Sequence, residues 1–152
     1  MKIDRDRLVQ VKLIVSCYGE CVCSILPALH SITGYDTTSY PYNVGKVKPF
    51  KKMIKGNTSQ YLSSMGKSEM YYLQLEDGLQ FVKQVLYPGK AAETFVGTRM
   101  RMYERQKTKS SLTMLPDLSS TKEHLKRADL QAYIWYQCLS TNIKYPSPEN
   151  RG

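Results

Sequence analysis

Apolar residues recur at three- and four-residue steps along most of this chain, and such spacing predicts helices. The segments with this pattern are residues 20–32, 45–56, 69–86, 91–106 and a final stretch from about residue 120. Residues 7–15 are apolar and β-branched, and they fit either a short strand or the start of a helix. We therefore expect a mainly α-helical protein with at most one or two short strands near its N-terminus.

Prolines, glycines and capping residues predict where these helices bend and end. Pro27 lies inside the first helix and lacks an amide hydrogen, so we expect a kink at that position. The Gly-Asn pair at 56–57 is typical of a helix C-terminus. Ser120, with Glu123 three positions later, has the spacing of a capping box and predicts the start of the last helix.

The overall composition fits one globular domain. The chain has 152 residues, of which 41% are hydrophobic and 23% are charged, close to the averages of folded domains. No apolar run approaches the roughly 18 residues that a membrane span requires. The first ten residues are too charged for a secretion signal. We therefore expect an intracellular protein that is not secreted and has no membrane partner.

A zinc site is not expected near the N-terminus, although Cys17, Cys21 and Cys23 precede His30. Their spacing, C-x3-C-x-C, fits no common structural zinc pattern, and no second pair of ligands follows. His30 itself falls in an apolar helix, where a neutral, hydrogen-bonded core histidine is the default. The alternative is a role as a ligand or in proton transfer.

The charge of the chain favours a polyanionic partner. The net charge is +9, from 22 Lys and Arg against 13 Asp and Glu, which suits nucleic acid. A dense group of lysines follows a turn-rich segment, at Lys46, Lys48, Lys51, Lys52 and Lys55, and no acidic residue occurs from 37 to 68. A helix N-terminus at this place presents amides and partial positive charge to a phosphate. The segment predicts contact with the nucleic-acid backbone rather than with bases, and a solvated lysine face is the alternative.

Asp36 is the acidic residue directly before this basic segment. From its position alone, it fits a helix cap or an Asx turn that binds the amide of Thr38 or Ser39. A metal ligand beside a phosphate site is the other interpretation, and the spacing alone favours the cap or the turn.

Two short motifs give this region a family resemblance. Residues 34–38, GYDTT, and 43–49, NVGKVKP, resemble the G-x-D motif and the following helix-two-turn-helix of PIN-like, flap-endonuclease-type nucleases. The chain is also similar to a transposon-associated animal subgroup of such proteins. That similarity is carried by LPALHSITGYDTTS at 26–39, RADLQAYIW at 127–135 and PSP at 146–148.

The resemblance implies a fold, a metal and a binding surface. Asp36 would be a Mg²⁺ ligand in an incomplete site, and a monovalent cation would lie at the turn before the basic helix. The DNA-binding residues that it implies are Asn43, Val44, Gly45, Lys46, Lys48, Lys51 and Lys52. In such nucleases, two Mg²⁺ ions support phosphodiester hydrolysis.

The chain departs from the family in lacking the N-terminal half that supplies most of the metal-binding carboxylates. One carboxylate does not hold two catalytic ions, so we expect a nuclear, DNA-binding helical fragment without autonomous catalysis. We assign 1–56 to the PIN-like segment with its helix-turn-helix unit, 57–143 to a helical extension and 144–152 to an exposed tail. The missing half or a homologous chain would be a partner. The alternative is a non-catalytic structural or protein-interaction module with no nucleic-acid role.

Overall fold

A computed structural model of the chain describes residues 11–39, 41, 44–67, 72–87, 93–105, 114–138 and 140–142. Its helices are α1 (Val11–Ser24), α2 (Leu26–Ile32), α3 (Val47–Gly56), α4 (Tyr72–Phe81), α5 (Phe95–Arg105) and α6 (Leu118–Tyr136). A 3₁₀ turn at Ser59–Leu62 follows α3, and a π-helical turn at Val82–Leu86 continues α4. No strand occurs within the described ranges. The prediction of a mainly α-helical protein is confirmed, and the ambiguous residues 11–15 are helical.

The first predicted helix breaks just before Pro27 rather than at it. α2 starts after Ile25, and Pro27 lies in its first turn, where a missing amide hydrogen is tolerated. The break follows from the proline ring, which excludes the carbonyl of the preceding helical turn. α1 and α2 are bent by 65° at this point. No single described helix is long and apolar enough to cross a membrane, although this bent pair passes that test by length and composition.

The core lies where α2 and α4 pack on α6, with the 3₁₀ turn packed against α4. α2 packs mainly against α6, and α4 packs against α6 and the 3₁₀ turn. Residues Leu125, Ala128 and Ala132 of α6 are fully buried, at the helical spacing that the sequence predicts. Other fully buried side chains come from both the 1–56 and the 57–143 segments, among them Ile25, Ile32, Met53, Leu62 and Phe81. The two segments therefore share one hydrophobic core.

α6 begins one turn earlier than the capping box predicts. Asp117 is the N-cap, and its carboxylate accepts hydrogen bonds from the Ser120 amide at 2.9 Å and from the hydroxyls of Ser119 and Ser120 at 2.6 and 2.7 Å. These bonds, the one from the Ser119 hydroxyl foremost, hold the pKa of Asp117 well below its usual range. The prediction that Ser120 is the cap is wrong because Asp117, three residues upstream, caps the helix by accepting from the Ser120 amide, so Ser120 lies within the first turn.

The ends of α3, α4 and α5 lie close to the predicted ones. Asn57 follows α3 in the left-handed conformation, with φ of 48°, so the predicted stop at 56–57 is confirmed. α4 with its π turn covers most of the predicted 69–86 helix, and α5 covers most of 91–106. The predicted tail at 144–152 lies outside the described residues.

Candidate nucleic-acid interface

The chain between α2 and α3 makes two turns. In the first, the Tyr35 and Thr38 backbones exchange hydrogen bonds of 3.2 and 2.9 Å. In the second, the amide of Val44 donates to the carbonyl of Pro41 at 3.1 Å. The order of this segment is therefore helix, turn, turn, helix, and the connection is longer than the turn of about 3–4 residues in a DNA-binding helix-turn-helix.

Thr38 anchors the first turn to the end of α2. Its side chain is buried, and its hydroxyl donates to the carbonyl of Ser31 at 3.0 Å while accepting from the amide of Tyr35 at 2.8 Å. The ring of Tyr35 packs on Trp135 of α6 with centroids 5.0 Å apart. The base of the turn is thus fixed between α2 and α6, and its tip projects from the surface.

Asp36 lies at this exposed tip. The Thr38 amide donates to the Tyr35 carbonyl, so the Asx turn that Asp36 could form with it is not present. The described residues contain no group of three or more His, Cys, Asp or Glu side chains that could hold a metal ion. Two catalytic Mg²⁺ ions need several converging carboxylates, and the described residues bring no such group to Asp36.

Lys46 turns inward and binds the C-terminal end of α2. Its ammonium donates to the carbonyls of Gly34 and His30, the latter at 3.2 Å, and lies 3.5 Å from the hydroxyl of Thr33. The last carbonyls of a helix lack donors within the helix, and a cation there is favoured by the helix dipole. Burial lowers the pKa of Lys46. This lysine fastens α2 to the start of α3.

Lys52, further along α3, also points inward. Its ammonium donates to the carbonyl of Gln84 in the π turn. A π turn leaves its carbonyls out of the regular helical register, which explains why one of them accepts from a side chain. Burial lowers the pKa of Lys52 as well. Two of the four lysines predicted to bind nucleic acid are thus occupied by main-chain carbonyls.

The remaining lysines of α3 form one exposed face. Lys48, Lys51 and Lys55 are all exposed, and their spacing of three and four residues aligns them along the helix. We call these three residues the lysine face. Its margin is apolar, with Val47 64% and Ile54 39% exposed. The hydrophobic side of α3 faces the opposite way, where Met53 is fully buried.

The residues before α3 differ among themselves. Val44 is half-buried and packs against the hydrophobic core. Gly45 is exposed, with open space where a Cβ would lie. Asn43 lies outside the described residues. The N-cap position of α3 is held by Lys46, which makes no side-chain capping bond, so the first amides of the helix are not capped by that residue.

His30 lies in an aromatic cluster at the edge of this region. Its ring centroid is 5.4 Å from that of Tyr35 and 5.2 Å from that of Trp135. Burial lowers the pKa of His30, and the charge of Lys46 lowers it further. The neutral state is therefore favoured at pH 7, but His30 is half-buried and lies beside the hydrophobic core rather than within it.

No family model, curated protein or solved structure matches this chain. The family resemblance of the 26–49 segment is therefore carried by its residues alone.

A second polar cluster, which no sequence pattern indicated, joins Ser39, His124 and Ile32. The Ser39 hydroxyl oxygen lies 3.0 Å from Nδ1 of His124, whose Nε2 lies 2.9 Å from the carbonyl oxygen of Ile32. His124 is 85 residues from Ser39 along the chain, so no local spacing links the two. Only the packing of α2 on α6 brings them together.

Proposed function

We propose that this chain binds the phosphate backbone of DNA through the lysine face of α3, as a non-catalytic remnant of a PIN-like nuclease. The observation that carries the proposal is the exposure of Lys48, Lys51 and Lys55 on one side of a helix. Acidic residues are absent from the sequence between 37 and 68, so no neighbouring carboxylate along the chain competes for these cations. A DNA-binding role would place the protein in the nucleus.

The dimensions of the lysine face suit this role. At 1.5 Å per residue, Lys48 and Lys55 are about 10 Å apart along the helix axis. Duplex DNA carries one charge per about 1.7 Å of its length, so several phosphates fall within that span. Lysine ammonium groups act on phosphate as point charges and carry little base preference. We expect weak sequence selectivity and strong dependence on salt.

A filter-binding titration of duplex DNA at two salt concentrations tests the proposal. Neutralising three phosphates predicts a slope of log affinity against log salt of about −3. The triple variant Lys48→Glu, Lys51→Glu and Lys55→Glu should lower the affinity at least about tenfold and flatten this slope. Circular dichroism of the variant checks that its helices are retained.

A control variant carries the same change of net charge on exposed cations elsewhere, at Lys12, Lys67 and Arg99. It should bind much more tightly than the α3 variant. Equal losses in both variants would attribute binding to net charge and contradict a local site. Absence of binding by the natural sequence at low salt would remove the nucleic-acid role altogether.

A second candidate function, as a protein-interaction module, is favoured by one observation on α1. Residues 11–24 form an apolar helical segment that is kinked at Gly19 and contributes no buried residue. Val11 and Leu13 are 67% and 57% exposed, and Tyr18 is 45% exposed. A missing N-terminal half or a homologous chain would cover such a helix. A concentration series in analytical ultracentrifugation tests whether the chain associates with itself.

A further inference from the structure

The hydrogen bonds of the Ser39, His124 and Ile32 cluster run in the direction that activates a hydroxyl group. The Ile32 carbonyl can only accept a hydrogen bond, so Nε2 of the neutral His124 ring carries the proton and donates to it at 2.9 Å. Nδ1 is then the unprotonated nitrogen, and the Ser39 hydroxyl donates to it at 3.0 Å. A hydroxyl, a base and a group that orients the base are the parts of a nucleophilic serine site.

The fold holds the base in this orientation. Ile32 is the last residue of α2, so its carbonyl is among those that the helix leaves without an internal donor. His124 belongs to the first half of α6, the helix against which α2 packs. Burial lowers the pKa of His124, and the charge of Arg127 contributes in the same direction, so the ring is neutral at pH 7. A neutral imidazole is the state that accepts a proton.

Ser39 and His124 open onto a cavity of about 440 Å³. One wall is apolar and comes from Pro41, Val82, Leu86 and Tyr87. Arg127 lies one helical turn after His124 and lines the same cavity. The Ser39 side chain is exposed, so a ligand in the cavity can reach its hydroxyl. The cavity joins a reactive oxygen, an apolar surface for a short carbon chain and a cation for a developing negative charge.

We propose that Ser39 is a nucleophile activated by His124, and that it accepts the acyl group of small carboxylic esters and transfers it to water. In the first half-reaction, the Ser39 oxygen bonds to the ester carbonyl carbon and its proton moves to Nδ1. The ester C–O bond then breaks, and the leaving alcohol takes that proton. In the second half, a water gives a proton to Nδ1 as its oxygen bonds to the acyl carbon. The C–O bond between that carbon and Ser39 then breaks, the Ser39 oxygen takes the proton back from Nδ1, and the carboxylic acid is released. The hydrogen on Nε2 stays on that nitrogen and keeps its hydrogen bond to the Ile32 carbonyl throughout.

This site is separate from the lysine face. No residue of α3 lines the cavity. Acylation of Ser39 is therefore expected in the natural sequence whether or not the chain binds DNA, and the two proposals fail independently.

A fluorophosphonate probe tests the nucleophile directly. The Ser39 oxygen would bond to phosphorus as the P–F bond breaks, and intact-mass and peptide analysis would locate the adduct. We expect labelling of Ser39 and none in Ser39→Ala. In His124→Gln, the amide oxygen can accept from Ser39 and the amide nitrogen can donate to Ile32, so the local fold is kept while the base is lost. Labelling should fall at least about 100-fold in that variant.

Ser119 and Ser120 provide the matched controls, since both line the same cavity and both donate to Asp117 instead of to a histidine. They should remain unlabelled, and Ser119→Ala should label at Ser39 as the natural sequence does. Three results would overturn the proposal: no adduct on Ser39, equal labelling of His124→Gln, or equal labelling of Ser119 or Ser120. A chromogenic ester such as p-nitrophenyl butyrate adds a second readout. Its hydrolysis should be lost in Ser39→Ala, and an unchanged rate would exclude the acyl-serine step.

Discussion

The connection between α2 and α3 and the helix α1 show opposite relations between polarity and burial. In the connection, Thr38 is 4% exposed with its hydroxyl bonded to Ser31, and the ammonium of Lys46 lies on the carbonyls at the end of α2. In α1, Val11 and Leu13 are more than half exposed. α2 and the first turn of the connection pack on α6, whereas α1 has α2 as its main neighbour. Whether a residue is buried in these two regions depends on which element packs against it. Its polarity alone does not decide.

Two glycines test this difference with the largest expected effect. Gly66 and Gly19 have nearly equal positive φ angles, +76° and +79°. A Cβ at Gly66 would lie 2.6 Å from the Cβ of Ala132 in α6 and 2.7 Å from the amide nitrogen of Tyr133, whereas nothing lies within 4 Å at Gly19. Gly66→Ala therefore adds a steric clash with a helix backbone to the conformational strain that both variants share.

We expect Gly66→Ala to lower the free energy of unfolding by about 4 kcal/mol or more, or to prevent folding. Gly19→Ala should cost about 1–3 kcal/mol, because its φ of 79° and ψ of 159° lie in a region that essentially only glycine adopts. Urea unfolding followed by circular dichroism gives both values. Similar losses in the two variants would show that backbone strain alone decides, and that α6 does not pack against the residue-66 turn as described.

Lys46 and Lys48, at the start of α3, allow the same comparison between a packed and an exposed position. Lys46→Met should destabilise the protein by about 1–2 kcal/mol, because the carbonyls at the end of α2 lose a charged donor in a partly buried place. Lys48→Met should change the free energy of unfolding by less than about 0.5 kcal/mol, because that side chain is exposed. DNA affinity should respond in the opposite order. An equal loss of the free energy of unfolding in Lys46→Met and Lys48→Met would contradict the assignment of Lys46 to a structural contact and of Lys48 to the surface.

The difference between the inward and the outward lysines of α3 shows which features could be predicted from the sequence and which could not. Periodicity and the Gly-Asn stop predict α3, and the bounds of α3 to α6 follow within a few residues, whereas the start of α1 at Val11 was not predicted. Periodicity also predicts the burial of Leu125, Ala128 and Ala132 in α6, but not that of Thr121 or Asp129. It cannot tell Lys46 from Lys48, because the carbonyls that attract Lys46 belong to another helix. His124 escaped notice for the same reason, since its partners Ser39 and Ile32 are distant in sequence.

A smaller effect is expected from pH. Burial keeps the pKa of His124 below its ordinary value of 6.5 in the folded protein, and His30 shifts in the same direction. The unfolded chain therefore binds protons first as the pH falls, so stability is fully present above about pH 6.5 and is lost as the pH falls through the folded pKa. His124→Gln lacks one of the two groups. Its free energy of unfolding should fall less between pH 7 and pH 5 than that of the natural sequence, and parallel curves would contradict a buried neutral His124.

The smallest effect is expected at Asp36, in contrast to the buried Asp129. The Asp129 carboxylate is 1% exposed and accepts a hydrogen bond from the Gly66 amide at 2.6 Å, so its environment fixes its role. Asp36 stands at an exposed turn tip, and Asp36→Asn should change the free energy of unfolding by less than about 0.5 kcal/mol. Added Mg²⁺ should not raise the melting temperature, and branched DNA should remain uncleaved. A Mg²⁺-dependent rise or cleavage that is lost in Asp36→Asn would contradict the fragment hypothesis, because the carboxylates of this chain alone would then complete the metal site.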